Sequence, residues 1–152
     1  MASSGGRLTE LRDLRVTDNR SVVVVDLVAE AADSLVPPVV HSVGSSKILV
    51  DPPRAILAEK LCALLERSEV RDLLDVQALL SSGESLDDAI TNAPRRDSGF
   101  SPLTLAWVLR DFNVRQLASL AGLDDTAAAE LDAFRMELIS RLLDVDQRPT
   151  AR

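Results

Sequence analysis

The stretch DPPRAILAEKLCALLERSEVRDLLDVQALL, residues 51–80, predicts two helices joined by a tight connection. Asp51 is placed to cap the first, and Pro52 fits the first helical position, where a missing N–H costs nothing. Ile56, Lys60, Ala63, Leu64 and Arg67 recur at intervals of three and four, which puts them on one face. Two long cations therefore sit on or beside an apolar stripe. The second helix starts near Glu69, carries Arg71, Asp72 and Asp75 in its first turns, and continues toward the core with Val76, Leu79 and Leu80. Acids near a helix N-terminus complement its dipole. A lysine within an apolar stripe needs a different explanation.

Composition bounds what surrounds this helix pair. A chain of 152 residues can bury a sizeable core, as one domain or two small packed subdomains. Hydrophobic residues make up 46% and aromatics only 3%, so the core is built from Leu, Val and Ala, a pattern that suits helices on a small valine-rich sheet. The net charge of −7 gives no general attraction to nucleic acid, so any such contact needs a local basic patch. Cys62 is the sole cysteine, which excludes an intramolecular disulfide and a cysteine-based zinc site. No apolar run reaches the roughly 18 residues of a membrane span, and MASSGGRLTE lacks the apolar core of a signal segment. A soluble cytoplasmic protein without membrane or disulfide partners is the expectation.

Upstream of the helix pair, residues 1–6 are small and expected to be disordered. Leu8 to Val16 is ambiguous: Leu11, Leu14 and Val16 are compatible with a short helical piece running into a strand. Ser21 to Ala29 reads as a strand whose β-branched run predicts burial on both faces. Asp26 interrupts that run and is expected at a sheet edge or a site. Val39–Val43 and Lys47–Val50 predict a hairpin about Gly44-Ser45-Ser46. His41 has no partner in sequence and reads as a plain strand histidine; Cys62 reads as a small core residue.

Downstream, Ser81-Ser82-Gly83 reads as a loop, and Ser85 with Asp88 resembles a capping box opening a helix to about Ala93. Pro94 to Phe100 reads as a loop in which Arg95 and Arg96, with Phe100, either touch RNA or are simply solvated, as two arginines in a loop usually are. Ser101-Pro102 starts a helix with Leu105, Leu109 and Phe112 on one face. Val114 to Ala121 forms another, ended by Gly122. Asp125 caps the longest helix, with Leu131, Phe134, Leu138 and Leu142 as its stripe, and residues 147–152 form a polar tail. The fold class is α+β: a small mixed or antiparallel sheet packed by helices, then a C-terminal helical bundle.

Ala58-Glu59-Lys60-Leu61, Ala63-Leu64-Leu65, Arg67 and Arg71-Asp72-Leu73-Leu74-Asp75 resemble the lysine and RDxxD motifs of the AbiEii/AbiGii nucleotidyltransferase toxin family, in the DNA polymerase beta-like superfamily. Val24-Val25-Asp26-Leu27 is similar to the strand that precedes them, and residues 96–102 to a downstream loop. The resemblance covers roughly residues 20–112. It implies NMP transfer from an NTP to RNA, possible tRNA-like targets, a cognate antitoxin and Mg²⁺. It implies catalytic roles for Lys60, Asp72 and Asp75, nucleotide contacts for Lys60, Arg67 and Arg71, and metal binding for Asp26. Lys60 and Asp26 are then expected to approach one another. On this reading residues 7–82 are a partial nucleotidyltransferase-like region and residues 83–146 a helical one.

The family's chemistry also needs a glycine–serine turn followed by two carboxylates flanking one residue on a strand, which hold Mg²⁺. No Asp-x-Asp pair precedes Lys60 here, and Gly44-Ser45 reads as a hairpin turn. The chain thus resembles the C-terminal portion of such an enzyme, whose missing N-terminal half is one expected partner. The alternative is a non-catalytic, partner-binding member. From the residues alone, Lys60 either contacts phosphate or snorkels to solvent. Asp72 and Asp75 either serve the site or pair with Arg71 and Arg67, Arg71 and Asp75 being one helical turn apart.

Overall fold

The computed structural model describes residues 11–17, 22–28 and 36–146, so the expected disordered start and polar tail lie outside the described residues. Its class is α+β, with four strands preceding six helices among the described residues. The chain divides into two compact units, Met1–Asp33 and Ser34–Arg152.

In the first unit β1 (Leu11–Thr17) pairs antiparallel with β2 (Val22–Val28), so Leu11 to Val16 is strand throughout and not a helical piece leading into one. The register sets Asp13 opposite Asp26. The valine run is a strand, but the expected two-sided burial does not occur: Val22, Val23 and Val24 are 63%, 55% and 53% exposed. Branching at Cβ favours the extended backbone. Burial needs a layer on each face, which a two-stranded hairpin does not itself supply.

The second unit opens with β3 (Val39–Val43) and β4 (Ser46–Val50), an antiparallel pair joined by Gly44-Ser45 as expected. Gly44 adopts φ +60°, the left-handed conformation that a two-residue hairpin turn demands. Every residue of β3 is exposed, and only Val50 of β4 is partly covered. The strands therefore form two two-stranded sheets, and among the described residues the buried core lies in the helical part.

The first helix, α1 (Pro53–Arg67), begins one residue later than expected: Pro52 occupies the cap position, without a side-chain cap bond, and Pro53 opens the helix. Its buried face is Leu57, Ala58, Leu61, Cys62 and Leu64. That face is displaced from the predicted stripe, because apolar residues surround most of this helix and the bulkiest set turns inward. Lys60 consequently sits at the edge of the buried face, with Ile56 and Ala63 half-buried.

Helix α2 (Val70–Ser81) follows after Ser68-Glu69. Its C-terminus closes with Gly83 at φ +102° and the Glu84 amide donating to Leu79 O, a glycine-terminated helix end. In α3 (Leu86–Arg96) Ser85 accepts from the Asp88 amide as expected, but the helix runs through Pro94, where a loop was expected. Pro94 lies in the last turn, so it forfeits a single helical bond near a fraying end.

Ser101 caps α4 (Pro102–Asp111), and Asn113 caps α5 (Val114–Leu120). The cap of α6 (Asp125–Asp146) is Asp124 rather than Asp125, since Asp124 Oδ1 accepts from the Ala127 amide at 2.8 Å. Both aspartates satisfy the sequence pattern, and only the backbone decides between them. One buried cluster joins Leu61 and Leu64 of α1, Leu73 and Val76 of α2, Leu105 and Leu109 of α4, and Leu131, Leu138 and Leu142 of α6. It runs without a break across residues 82–83. Each such leucine contributes about 1.5–3 kcal/mol by leaving water.

Candidate functional site

The two-residue connection between α1 and α2 reverses the chain and brings residues on either side of it face to face. Ser68 carries the reversal with φ 50° and ψ 51°, and its hydroxyl donates to Leu64 O at 3.0 Å. Across the joint, Lys60 and Arg67 of α1 meet Asp72 and Asp75 of α2. Lys60 Nζ lies 2.9 Å from Asp72 Oδ1 and 2.6 Å from Asp75 Oδ2. Arg67 Nε donates to Asp72 Oδ2 at 2.8 Å and its terminal nitrogen to Asp72 Oδ1 at 3.0 Å. The carboxylate of Asp72 thus accepts three charge-assisted bonds, two from one arginine fork.

The four groups differ in exposure. Asp72 is the only charged residue buried among those described. The side chains of Lys60, Asp75 and Arg67 are 23%, 42% and 54% exposed. Burial raises the cost of charge on Asp72, but hydrogen bonds from Arg67 and Lys60 outweigh it and hold the carboxyl below its usual range. Burial likewise opposes the charge on Lys60, and its bonds to Asp75 and Asp72 lift it above the ordinary lysine value. Asp72 also raises Arg67. At neutral pH the cluster consists of two cations and two anions. Lys60 there acts as a cation rather than a base, and Asp72 has both oxygens occupied. Asp75, bonded through one oxygen, is the acid of the four most open to solvent.

The structure therefore brings Lys60, Arg67, Asp72 and Asp75 together and leaves Arg71 out. The sequence-based pairing of Arg71 with Asp75 is not formed, because Lys60 reaches Asp75 from the facing helix while Arg71 points outward. Lys60 does not snorkel into bulk water either. Arg71 lines an adjoining wide groove of about 930 Å³, together with Arg67, Val108, Phe112, Leu117 and Leu120. The side chain of Asp26 lies outside the described residues, so its expected approach to Lys60 does too. His41 lies exposed on β3. Cys62 is buried against Ala93 O, and burial pushes its thiol up to about 11, away from nucleophilic chemistry. Arg96 belongs to α3 and pairs with Glu59 at 3.6 Å instead of standing in a solvated loop.

Mg²⁺ favours carboxylate oxygens and water in a near-octahedral shell. Both oxygens of Asp72 are already bonded to Lys60 or Arg67, and among the described residues no three His, Cys, Asp or Glu side chains converge to hold a metal. These residues do not form a metal cradle. Nor, among the described residues, is any helix long and apolar enough to cross a membrane.

The structure is thus an α+β chain whose helical hairpin joins Lys60 to both acids of Arg71-Asp72-Leu73-Leu74-Asp75. The chain belongs to the nucleotidyl transferase AbiEii toxin family of type IV toxin–antitoxin systems, whose family model matches residues 10–148. No curated protein and no solved structure matched it.

Proposed function

We propose that this chain supplies the lysine-bearing part of a nucleotidyltransferase that moves an NMP from an NTP to RNA, within a toxin–antitoxin pair. The reading is supported by one observation above the rest: Lys60 is partly exposed and its ammonium is held in place by Asp72 and Asp75, which keep it protonated. A fixed ammonium of that kind suits a triphosphate oxygen. Arg71, on the adjoining groove, is free to meet the rest of a nucleotide or an RNA phosphate. Asp26 and Mg²⁺ enter this proposal through the family resemblance alone.

Phosphoryl-type transfer depends on positioning and charge stabilisation. An attraction shared by ground and transition states strengthens binding without raising turnover. No Asp-x-Asp pair precedes Lys60 in this sequence, so the chain alone is expected to transfer poorly. The test incubates the purified chain with RNA, Mg²⁺ and each labelled NTP, alone and with a polypeptide carrying a glycine–serine turn and an Asp-x-Asp strand. Weak incorporation that rises on complementation and is lost in Lys60→Ala is the expected result. Robust incorporation by the chain alone, lost in both Lys60→Ala and Asp26→Ala, would show that its own acids complete the site. No incorporation under either condition would favour a non-catalytic, partner-binding member, a reading supported by the exposed apolar residues of β3 and β4, such as Val40 at 56% and Leu49 at 68%.

A further inference from the structure

The two acids that hold Lys60 are not equivalent. Asp72 is fully buried and gripped by three N–H bonds, two of them from Arg67. Asp75 is 42% exposed and, among the described residues, its ion partner is Lys60 alone. Releasing Asp72 would leave a buried carboxylate short of donors and would unseat Arg67. Releasing Asp75 needs only a side-chain rotation into water, which rehydrates its carboxylate at once. The bond that can open lies on the solvent side of the ammonium, where an incoming anion arrives.

We propose that Asp75 is the exchangeable ligand of Lys60: a phosphate oxygen displaces Asp75 from the ammonium, while Asp72, locked by Arg67, keeps the ammonium in place. This rests on reading Lys60 as a phosphate contact. It assigns Asp75 the part of an internal competitor rather than a catalytic acid, and Arg67 the part of a positioning residue acting through Asp72. In the ligand-free state the cluster is neutral, so stray monoanions benefit little by entering. A polyphosphate carries enough charge to take over the place of a single half-exposed carboxylate. The exchange conserves the bonding at Lys60, because a phosphate oxygen takes the position that a carboxylate oxygen vacates. Its cost is therefore the weak, solvent-screened pair that is given up.

The experiment titrates the full chain with inorganic tripolyphosphate by calorimetry, without Mg²⁺ and at low salt. Wild type is compared with Asp75→Asn, Glu66→Gln, Lys60→Gln and the Asp75→Asn/Lys60→Gln double variant. Asp75→Asn is expected to bind about fivefold tighter, near the upper end for an exposed ion pair. Glu66→Gln, which removes the same charge from an exposed site on α1, is expected to change little. The tightening at Asp75 is expected to vanish in the Lys60→Gln background.

Equal tightening in Asp75→Asn and Glu66→Gln would overturn the proposal, since charge alone would then explain it. So would unchanged or weaker binding in Asp75→Asn, or a wild type that binds no tripolyphosphate at all. If Lys60→Gln fails to fold, the comparison of Asp75→Asn with Glu66→Gln still decides. The readout is independent of transfer: a chain that incorporates no label yet shows the Lys60-dependent tightening sinks the enzymatic reading and keeps the exchange. A chain that incorporates label without the tightening does the reverse.

Discussion

Two hairpins in the second unit make an instructive pair. β3 and β4 reverse through Gly44-Ser45; α1 and α2 reverse through Ser68-Glu69. Both reversals are two residues long and both use a positive φ, +60° at Gly44 and 50° at Ser68. Glycine adopts that conformation freely, whereas serine meets the strain of placing Cβ there, about 1 kcal/mol. The less comfortable turn nevertheless belongs to the buried hairpin, and the comfortable one to the exposed hairpin. Local turn chemistry therefore sets where a chain reverses, not whether the product is covered. Covering depends on what each arm offers its neighbours. The helices place Leu57, Leu61, Leu64, Leu73 and Val76 in one buried cluster with residues of α3, α4 and α6. The strands carry mixed apolar and polar side chains, Val-Val-His-Ser-Val and Ser-Lys-Ile-Leu-Val, that stay open to solvent apart from the half-buried Val50.

The sharpest way to break the comparison is to remove a side chain from the covered hairpin. Leu61→Ala is expected to cost about 2–5 kcal/mol through lost burial and the cavity left behind, read as a fall in the urea midpoint. Asp72→Asn should come next, at about 3 kcal/mol, the low end for breaking a buried pair because Lys60 and Arg67 keep some access to water. The pH dependence follows from the depressed carboxyl. A group whose folded value lies below its unfolded one stabilises above the unfolded value, 3.8 for Asp72, and loses that contribution as pH falls through the folded value. Wild type should thus lose stability on acidification below about pH 4 more steeply than Asp72→Asn does. Lys60 works in the opposite direction: its raised value adds stability below 10.5 that is lost as pH climbs past it.

Ser85→Ala should cost about 1 kcal/mol through the lost cap of α3, seen as a small drop in thermal midpoint. The smallest effect is expected on the exposed hairpin, where Val40→Thr and Leu49→Thr should each stay within about 0.5 kcal/mol. A loss of about 2 kcal/mol or more at either position would mean that β3–β4 is covered in solution, and the contrast between the hairpins would fail.

Much of this contrast was legible in the sequence. Ser85, Ser101 and Gly83 mark helix ends by chemistry that acts over three or four residues, so local pattern suffices. Lys60 stood out as a cation in an apolar stripe, and RDxxD as a motif. The partners of Lys60 were less accessible. Within α2, Arg71 and Asp75 have the right spacing to pair, and only the reversal at Ser68 reveals that Lys60 approaches Asp75 from the facing helix. The clue was that Lys60 and Asp75 lie at similar distances on either side of the connection. The valine run failed for a different reason. Extended backbone is a property of the residues themselves, whereas burial belongs to their surroundings. Asp124 and Asp125 show the limit at finest scale, since two adjacent acids compete for one cap and the backbone chooses.

The short connection between α1 and α2 also bears on the order in which the molecule acquires its structure. Contacts across it, such as Arg67 to Asp72, close loops of only a few residues and forfeit little chain entropy, whereas those between α1 and α4 or between α2 and α6 close loops many times longer. The helical hairpin is thus the natural early nucleus, with α6 docking late. In refolding kinetics, Leu64→Ala should mainly slow the folding arm of the chevron, and Leu138→Ala should mainly speed the unfolding arm.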